Sequence, residues 1–302
     1  NDGQPFFTYV APTAPHLPLK APPRYANHEW TDDVAPRTPN WYESDVSDKS
    51  AWLAQSTVSH DATRDFNDTD HRNRMGSLLA VDDLVSGLVE TLESHGELDN
   101  TVLMFVSDNG YNLGSHKLIH KMAPYEESVR VPLVIAGPGI RTGHESRMVI
   151  HPDLAPTILD LAGVESPDYV DGVSLTPLMG DEPPTTWRSE FVGQYLGGAA
   201  GDSIGAELPP GLEFWLLVML LGQEIPTYTS IRTEQHLYVE WDQSPIGLDP
   251  GVELYDMEAD PYQLTNLLAT PTGAAENAAL VADLRERMNR LAACAGVTCR
   301  VT

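Results

Sequence analysis

The sequence predicts an α/β fold in which part of a mostly parallel sheet is flanked by helices, followed by a small C-terminal α+β subdomain with an antiparallel sheet. Three observations lead there. Residues 101–107 form a short, unbroken apolar run of the kind buried on both faces of a sheet, and residues 131–136 form another strand. Between and around them, residues 78–92 and 154–161 carry apolar side chains at helical spacing, so strands and helices alternate in layers. Beyond about Pro183 the pattern changes to short strands of antiparallel type. The predicted division is residues 1–183 for the α/β portion and 184–302 for the subdomain.

Taken in order, residues 5–11 (Pro-Phe-Phe-Thr-Tyr-Val-Ala) are rich in aromatic and β-branched side chains and are predicted as a buried strand. A proline-punctuated loop over 12–36 and a polar stretch to about Asp70 follow, both too irregular for a packed element. Leu78, Val81, Leu84, Val85, Leu88 and Leu92 recur on one helical face, and Gly96 stands just past it as a stop. The 131–136 strand ends at Gly137-Pro138-Gly139, and Pro152 and Asp153 are start signals for the 154–161 helix. Residues 191–195, 227–232, 236–241 and 253–256 are the later strands. A final helix sets Leu280, Leu284, Met288 and Leu291 on one face. The chain has neither an internal repeat nor a low-complexity tract.

Composition narrows the function classes. With 302 residues, 41% hydrophobic content, 24 Pro and 23 Gly, this is a loop-rich globular chain large enough for a full core. The longest apolar run, 212–221, is interrupted by Glu213 and is too short to span a bilayer; it is read as a buried strand or an edge that meets another chain. A net charge of −26 argues against nucleic acid as a partner, because counterion displacement needs a basic face. It favours an extracellular or high-salt setting, or acidic loops that hold cations. Cys294 and Cys299 lack a nearby His and make poor zinc ligands. A small-loop disulfide in an oxidising compartment is the better reading, with two free thiols as the alternative. The opening Asn1-Asp2-Gly3-Gln4 shows no signal peptide.

Three places could carry chemistry. Ser107-Asp108-Asn109-Gly110 follows an apolar strand directly, and ligands of open α/β sheets sit beyond such strand ends. Asp108 and Asn109 there are a hard-oxygen pair suited to Ca²⁺ or Mg²⁺, although Asn-Gly is also a strong turn signal. His116, Lys117, His120 and Lys121 form a basic island in a chain with only 18 Lys and Arg, a place to attract an anion or else a solvated loop. His16 lies between Pro15 and Pro18 in a stiff loop, where an imidazole could act as general acid. Metal, basic clamp and proton donor together are equipment for hydrolysing a sulfate or phosphate ester.

These residues resemble the type I sulfatases of the alkaline phosphatase superfamily. The resemblance rests on Ser107-Asp108-Asn109-Gly110-Tyr111-Asn112-Leu113-Gly114, on Lys121 ahead of Tyr125-Glu126-Glu127-Ser128-Val129-Arg130-Val131-Pro132-Leu133, and on the stretch from Phe6 to Pro18 around His16. His151-Pro152-Asp153-Leu154 and Glu253-Leu254-Tyr255-Asp256 add to it. Arg37-Thr38-Pro39-Asn40, Asp45 to Lys49, Ser77 to Asp83 and the terminal cysteine pair are similar to the branch of N-acetylglucosamine-6-sulfatases and arylsulfatases.

The resemblance implies an alkaline-phosphatase-like fold, Asp108 and Asn109 as Ca²⁺ ligands, and Lys121 on the sulfate and its bridging oxygen. It further implies His16 as donor of a proton to the departing alcohol, and His116 and Lys117 in a loop that lines the pocket. A hydrated formylglycine would be the nucleophile and a sulfated carbohydrate or aryl sulfate the substrate. The Cys-x-Pro-x-Arg motif from which formylglycine is made does not occur here. The expectation is therefore a C-terminal half that needs an N-terminal half for activity, secreted or periplasmic, its half-sheet leaving apolar edges exposed. The rival expectations are a phosphodiesterase or phosphonate hydrolase of the same superfamily and a non-catalytic sulfoglycan-binding relative.

Overall fold

The structure is a computed structural model and describes residues 3–16, 21–26, 33–54, 60–196, 225–242 and 251–300. The apolar run at 212–221 lies outside the described residues. Along the chain come α1 (Ala51–Ala54), α2 (His60–Ser94), β1 (Leu103–Val106), β2 (Asn112–Leu113), β3 (Ile119–His120), α3 (Glu126–Val129) and β4 (Leu133–Ala136). They are followed by α4 (Leu154–Leu161), α5 (Thr176–Met179), β5 (Glu190–Tyr195), β6 (Tyr228–Thr233), β7 (His236–Trp241), β8 (Val252–Asp256), α6 (Pro271–Glu276) and α7 (Ala278–Ala292).

The expected parallel sheet is not there. Among the described residues every paired strand is antiparallel: β1 with β4, β2 with β3, and β5-β6-β7-β8 as a four-stranded sheet. Parallel neighbours need a crossover, usually a helix that covers a sheet face. The helix between β1 and β4 is the single-turn α3, too short for that, and the chain returns beside β1 in the opposite direction. Alternating strands and helices therefore misled: the order of elements carries no strand direction.

Two further expectations fail for the same reason, the shortage of strand partners. Residues 5–11 form no strand, and Phe6, Phe7, Tyr9 and Val10 are exposed. The 101–107 run is not buried on both faces: among the described residues β1 pairs with β4 alone. The cross-strand pair Phe105 and Val134 faces out, 42% and 59% exposed. The opposite face of this pair, with Met104, Leu133 and Ile135, packs on Leu175, Leu178 and Met179.

The polar stretch before Asp70 is also more ordered than expected, since α2 begins at His60. Its first half shows no apolar periodicity because it is fastened by polar contacts instead. Arg37 forks onto the Asp68 carboxylate at 2.7 and 2.8 Å, and Asn67 donates to the Tyr42 hydroxyl. Gly96 ends the segment in left-handed backbone (φ +69°), as a C-terminal glycine does.

The four-stranded sheet organises the core. Alternation along β7 sends Leu237, Val239 and Trp241 to one face and Tyr238 to the other. Tyr238, Ile231 and Leu254 pack on Leu284 and Met288 of α7, with Leu280 and Leu291 alongside. The other face, with Tyr228 and Tyr255, receives Trp52, Leu53, Leu118 and Tyr125. Leu118 and Tyr125 bracket Lys121, so this packing anchors the segment that carries it. Cys294 and Cys299 are disulfide-bonded, and the turn between them docks on Asp168 and Asp171.

Candidate active site

The site grows from the end of β1. After Val106 the chain turns through Ser107, Asp108, Asn109 and Gly110, and hydrogen bonds hold most of this turn. The Ser107 hydroxyl donates to the Asn109 carbonyl, and the Gly110 amide donates to Ser128 of α3, both at 2.9 Å. His151 Nε2, from the segment ahead of α4, reaches the Ser107 carbonyl at 2.8 Å. This loop is pressed so closely onto α3 that a Cβ at Gly110 would collide with the Glu127 carbonyl. Gly110→Ala should cost about 1–3 kcal/mol by overpacking and shift the Asp108 loop. Urea unfolding checks this: a wild-type midpoint would show that the loop has room.

Asp108 is exposed, and its Oδ1 accepts from the Asn109 amide at 3.0 Å. The Asn109 side chain is oriented by its Nδ2, which donates to the Gly110 carbonyl, leaving Oδ1 as the outward acceptor. Lys121 Nζ donates to that Oδ1 at 2.8 Å. The structure thus brings Lys121 and Asn109, twelve residues apart, into contact. It also sets a cation on the amide oxygen.

Lys121 gets there on the β2–β3 hairpin, whose tip runs through Ser115, His116, Lys117 and Leu118. His116 (φ +52°) and Lys117 (φ +60°) are both left-handed, and Leu118 N bonds Ser115 O at 2.8 Å, a type I′ geometry. Such turns favour Asn-Gly, so nothing in His-Lys announces this one. The strain is offset by the seat of His116, which is fully buried and lies against the Tyr125 ring at 4.3 Å. Its Nδ1 donates to Glu43 at 2.7 Å, and its Nε2 accepts from Asn40 Nδ2 at 3.2 Å. Asn40 also donates to Glu127 at 2.6 Å, which fixes its orientation. In this structure His116 faces protein on all sides. Lys117 remains at the tip, near Asp45, whose carboxyl is held below its ordinary range by hydrogen bonds from Ser47 and, less, by the charge of Lys117.

His16 lies in a tight turn closed by its amide on the Thr13 carbonyl at 2.7 Å, and it is exposed. It makes no hydrogen bond to Asp108, Asn109 or Lys121. Its turn reaches the site region through Arg74 of α2, which donates to the Pro15 carbonyl at 3.0 Å and stacks over the Tyr111 ring at 3.8 Å. Asp70, buried one helical turn earlier, pairs with Arg74 at 3.1 Å; burial pushes its carboxyl up, partly countered by Arg74.

Among the described residues no three His, Cys, Asp or Glu cluster to hold a metal. Asp108 and Asn109 offer two adjacent hard oxygens at a strand end, a partial fit to the roughly six to eight that Ca²⁺ takes. Sequence reasoning missed Arg74, His151, Asn40 and Glu43. Asn40 and His151 lie in, and Glu43 beside, stretches already marked by their resemblance, while Arg74 acts by contacts no spacing rule reveals.

A sulfatase family profile matches residues 1–164. The chain belongs to the sulfatase family. It is 35% identical to human N-acetylglucosamine-6-sulfatase, covering 98% of this chain and 54% of that protein. It is 31% identical to an arylsulfatase of Volvox carteri, covering 88% and 44%. Among solved structures it is similar to BT4656 in complex with its substrate D-glucosamine-2-N,6-O-disulfate (TM-score 0.60, 29% identity, 78% of this chain and 43% of that one). It is similar also to a phosphonate monoester hydrolase from Silicibacter pomeroyi (TM-score 0.67, 26% identity, 91% and 54%). This sulfatase chain spans about half the length of the curated relatives it matches.

Proposed function

We propose that the protein is a sulfuric ester hydrolase of the N-acetylglucosamine-6-sulfatase and arylsulfatase branch, acting on sulfated sugars, and that this chain supplies part of its active site. The observation that carries the reading is the Lys121 ammonium on Asn109 Oδ1 at the end of β1. An ammonium beside an amide and a carboxylate suits an anionic ester: Lys121 holds the sulfate oxygens and the charge that develops on the bridging oxygen. His16 delivers the proton to the leaving alcohol, worth about 10²–10⁴-fold in rate. Asp108 and Asn109 would hold Ca²⁺ together with oxygens from outside this chain. When bound, Ca²⁺ and formylglycine supply positive charge for the sulfuryl oxygens and the nucleophilic oxygen.

The substrate class is supported by the resemblance to N-acetylglucosamine-6-sulfatase and to a protein in complex with its substrate D-glucosamine-2-N,6-O-disulfate. An extracellular or periplasmic setting is supported by the Cys294–Cys299 disulfide. No helix among the described residues is long and apolar enough to cross a membrane.

The likeness to a phosphonate monoester hydrolase favours a second reading, a phosphonate or phosphodiester hydrolase. The full-length protein, assayed with N-acetylglucosamine 6-sulfate, an aryl sulfate, a phosphate diester and a phosphonate monoester, decides between them. Sulfate esters should give the higher kcat/KM. Turnover of the phosphonate or diester far above both sulfates would overturn the sulfatase reading.

A further inference from the structure

The Arg74 guanidinium lies between two loops and touches both of them. Its Nη1 donates to the Pro15 carbonyl, the peptide immediately before His16. Its plane lies over the ring of Tyr111, two residues after Asn109, with Cζ 3.8 Å from the centroid. Its Nε faces both oxygens of Asp70 at 3.1 and 3.2 Å, and Asp70 is almost wholly buried in the same helix. One planar group therefore touches both loops from a rigid support, a thirty-five-residue helix. Only arginine has the geometry for this: a flat cation that stacks on a ring while donating from two edges.

We propose that Arg74 is a positioning residue for the reaction: it holds the His16 turn in register with the Asp108–Gly110 loop, and proton delivery to the leaving group depends on it. The proposal rests on the reading of His16 as proton donor. Arg74 touches no substrate and acts through the Pro15 carbonyl and the Tyr111 ring. Its loss therefore matters in proportion to how much the leaving group needs a proton. A sugar alkoxide needs one badly; a nitrophenolate leaves without it.

The test compares N-acetylglucosamine 6-sulfate with 4-nitrophenyl sulfate on the full-length protein. Arg74→Lys should lower kcat on the sugar sulfate by about 10²-fold and on the nitrophenyl sulfate by less than about 10-fold, with KM for both near wild type. His16→Ala should show the same split. Asp70→Asn, which keeps shape but loses the charge that orients Arg74, should show a smaller split in the same direction and decides the matter if Arg74→Lys fails to fold. Equal losses on both substrates, or no loss on either, would overturn the positioning role. If His16→Ala itself falls equally on both substrates, the assignment of His16 is wrong and this inference falls with it. If His16→Ala splits while folded Arg74 and Asp70 variants do not, Arg74 alone is refuted.

Discussion

Lys121→Ala in the full-length protein should lower kcat on a sulfate ester by about 10²–10³-fold with little change in thermal midpoint. The large effect follows from where the ammonium sits. Lys121 is partly exposed, and among the described residues its Nζ donates to Asn109 Oδ1, so few packing contacts disappear with it. What disappears is the positive charge that the proposed function sets on the sulfate ester. A second consequence separates this role from a structural one. Without the ammonium the Asn109 oxygen keeps its orientation, because Nδ2 still donates to the Gly110 carbonyl. Lys121→Ala should therefore leave the Asp108–Asn109 pair, proposed to hold Ca²⁺, in place, and calcium affinity measured by calorimetry should not fall below wild type, because a cation in contact with the Asn109 oxygen has been removed. Full activity in Lys121→Ala would remove the observation on which the proposed function rests.

The second large effect concerns stability. Asp153→Ala should destabilise the fold by about 3–5 kcal/mol, read from urea unfolding. Asp153 is fully buried and accepts from the Ile150 amide, the Val173 amide and both Arg188 terminal nitrogens, the last at 2.5 and 2.9 Å. Removing the carboxylate strands the Arg188 guanidinium, itself only 6% exposed, and orphans two backbone donors. Replacing both members, as Asp153→Ala with Arg188→Met, should recover part of the loss, since no unpaired charge then remains buried. A double variant no more stable than Asp153→Ala would show that the two stranded amides, rather than the charge, dominate. The region matters for the site as well: His151, two residues before Asp153, holds the Ser107 carbonyl.

What could be read from residues alone was whatever depends on local pattern. The 154–161 helix and the 236–241 strand agree with α4 and β7 residue for residue, and the other C-terminal strands with β5, β6 and β8 to within one residue. The face of Leu280, Leu284, Met288 and Leu291 packs on the sheet, because apolar periodicity reports directly which side meets a core. The contact of Lys121 with the Asn109 loop followed from resemblance and not from spacing, since no period links a strand end to a hairpin stem.

Apolar content located the candidate strands, but hydrophobicity says only that a run can be buried. Whether it is buried depends on partners distant in sequence, which is why residues 5–11 are exposed and β1 is covered on one face. Direction, too, belongs to the folded chain: a hydrogen-bond ladder forms equally well from strands of either sense, and the path between β1 and β4 selected the antiparallel one. The surroundings of His116 arose in the same way. As a letter it was one member of a basic island; in the fold, Glu43, Asn40 and Tyr125 enclose it and only then define what its nitrogens do. Periodicity thus placed most of the elements, and motif resemblance pointed to the family. Pairing, burial and the Arg74 bridge between the His16 and Asp108 loops arose only when segments far apart in the chain met.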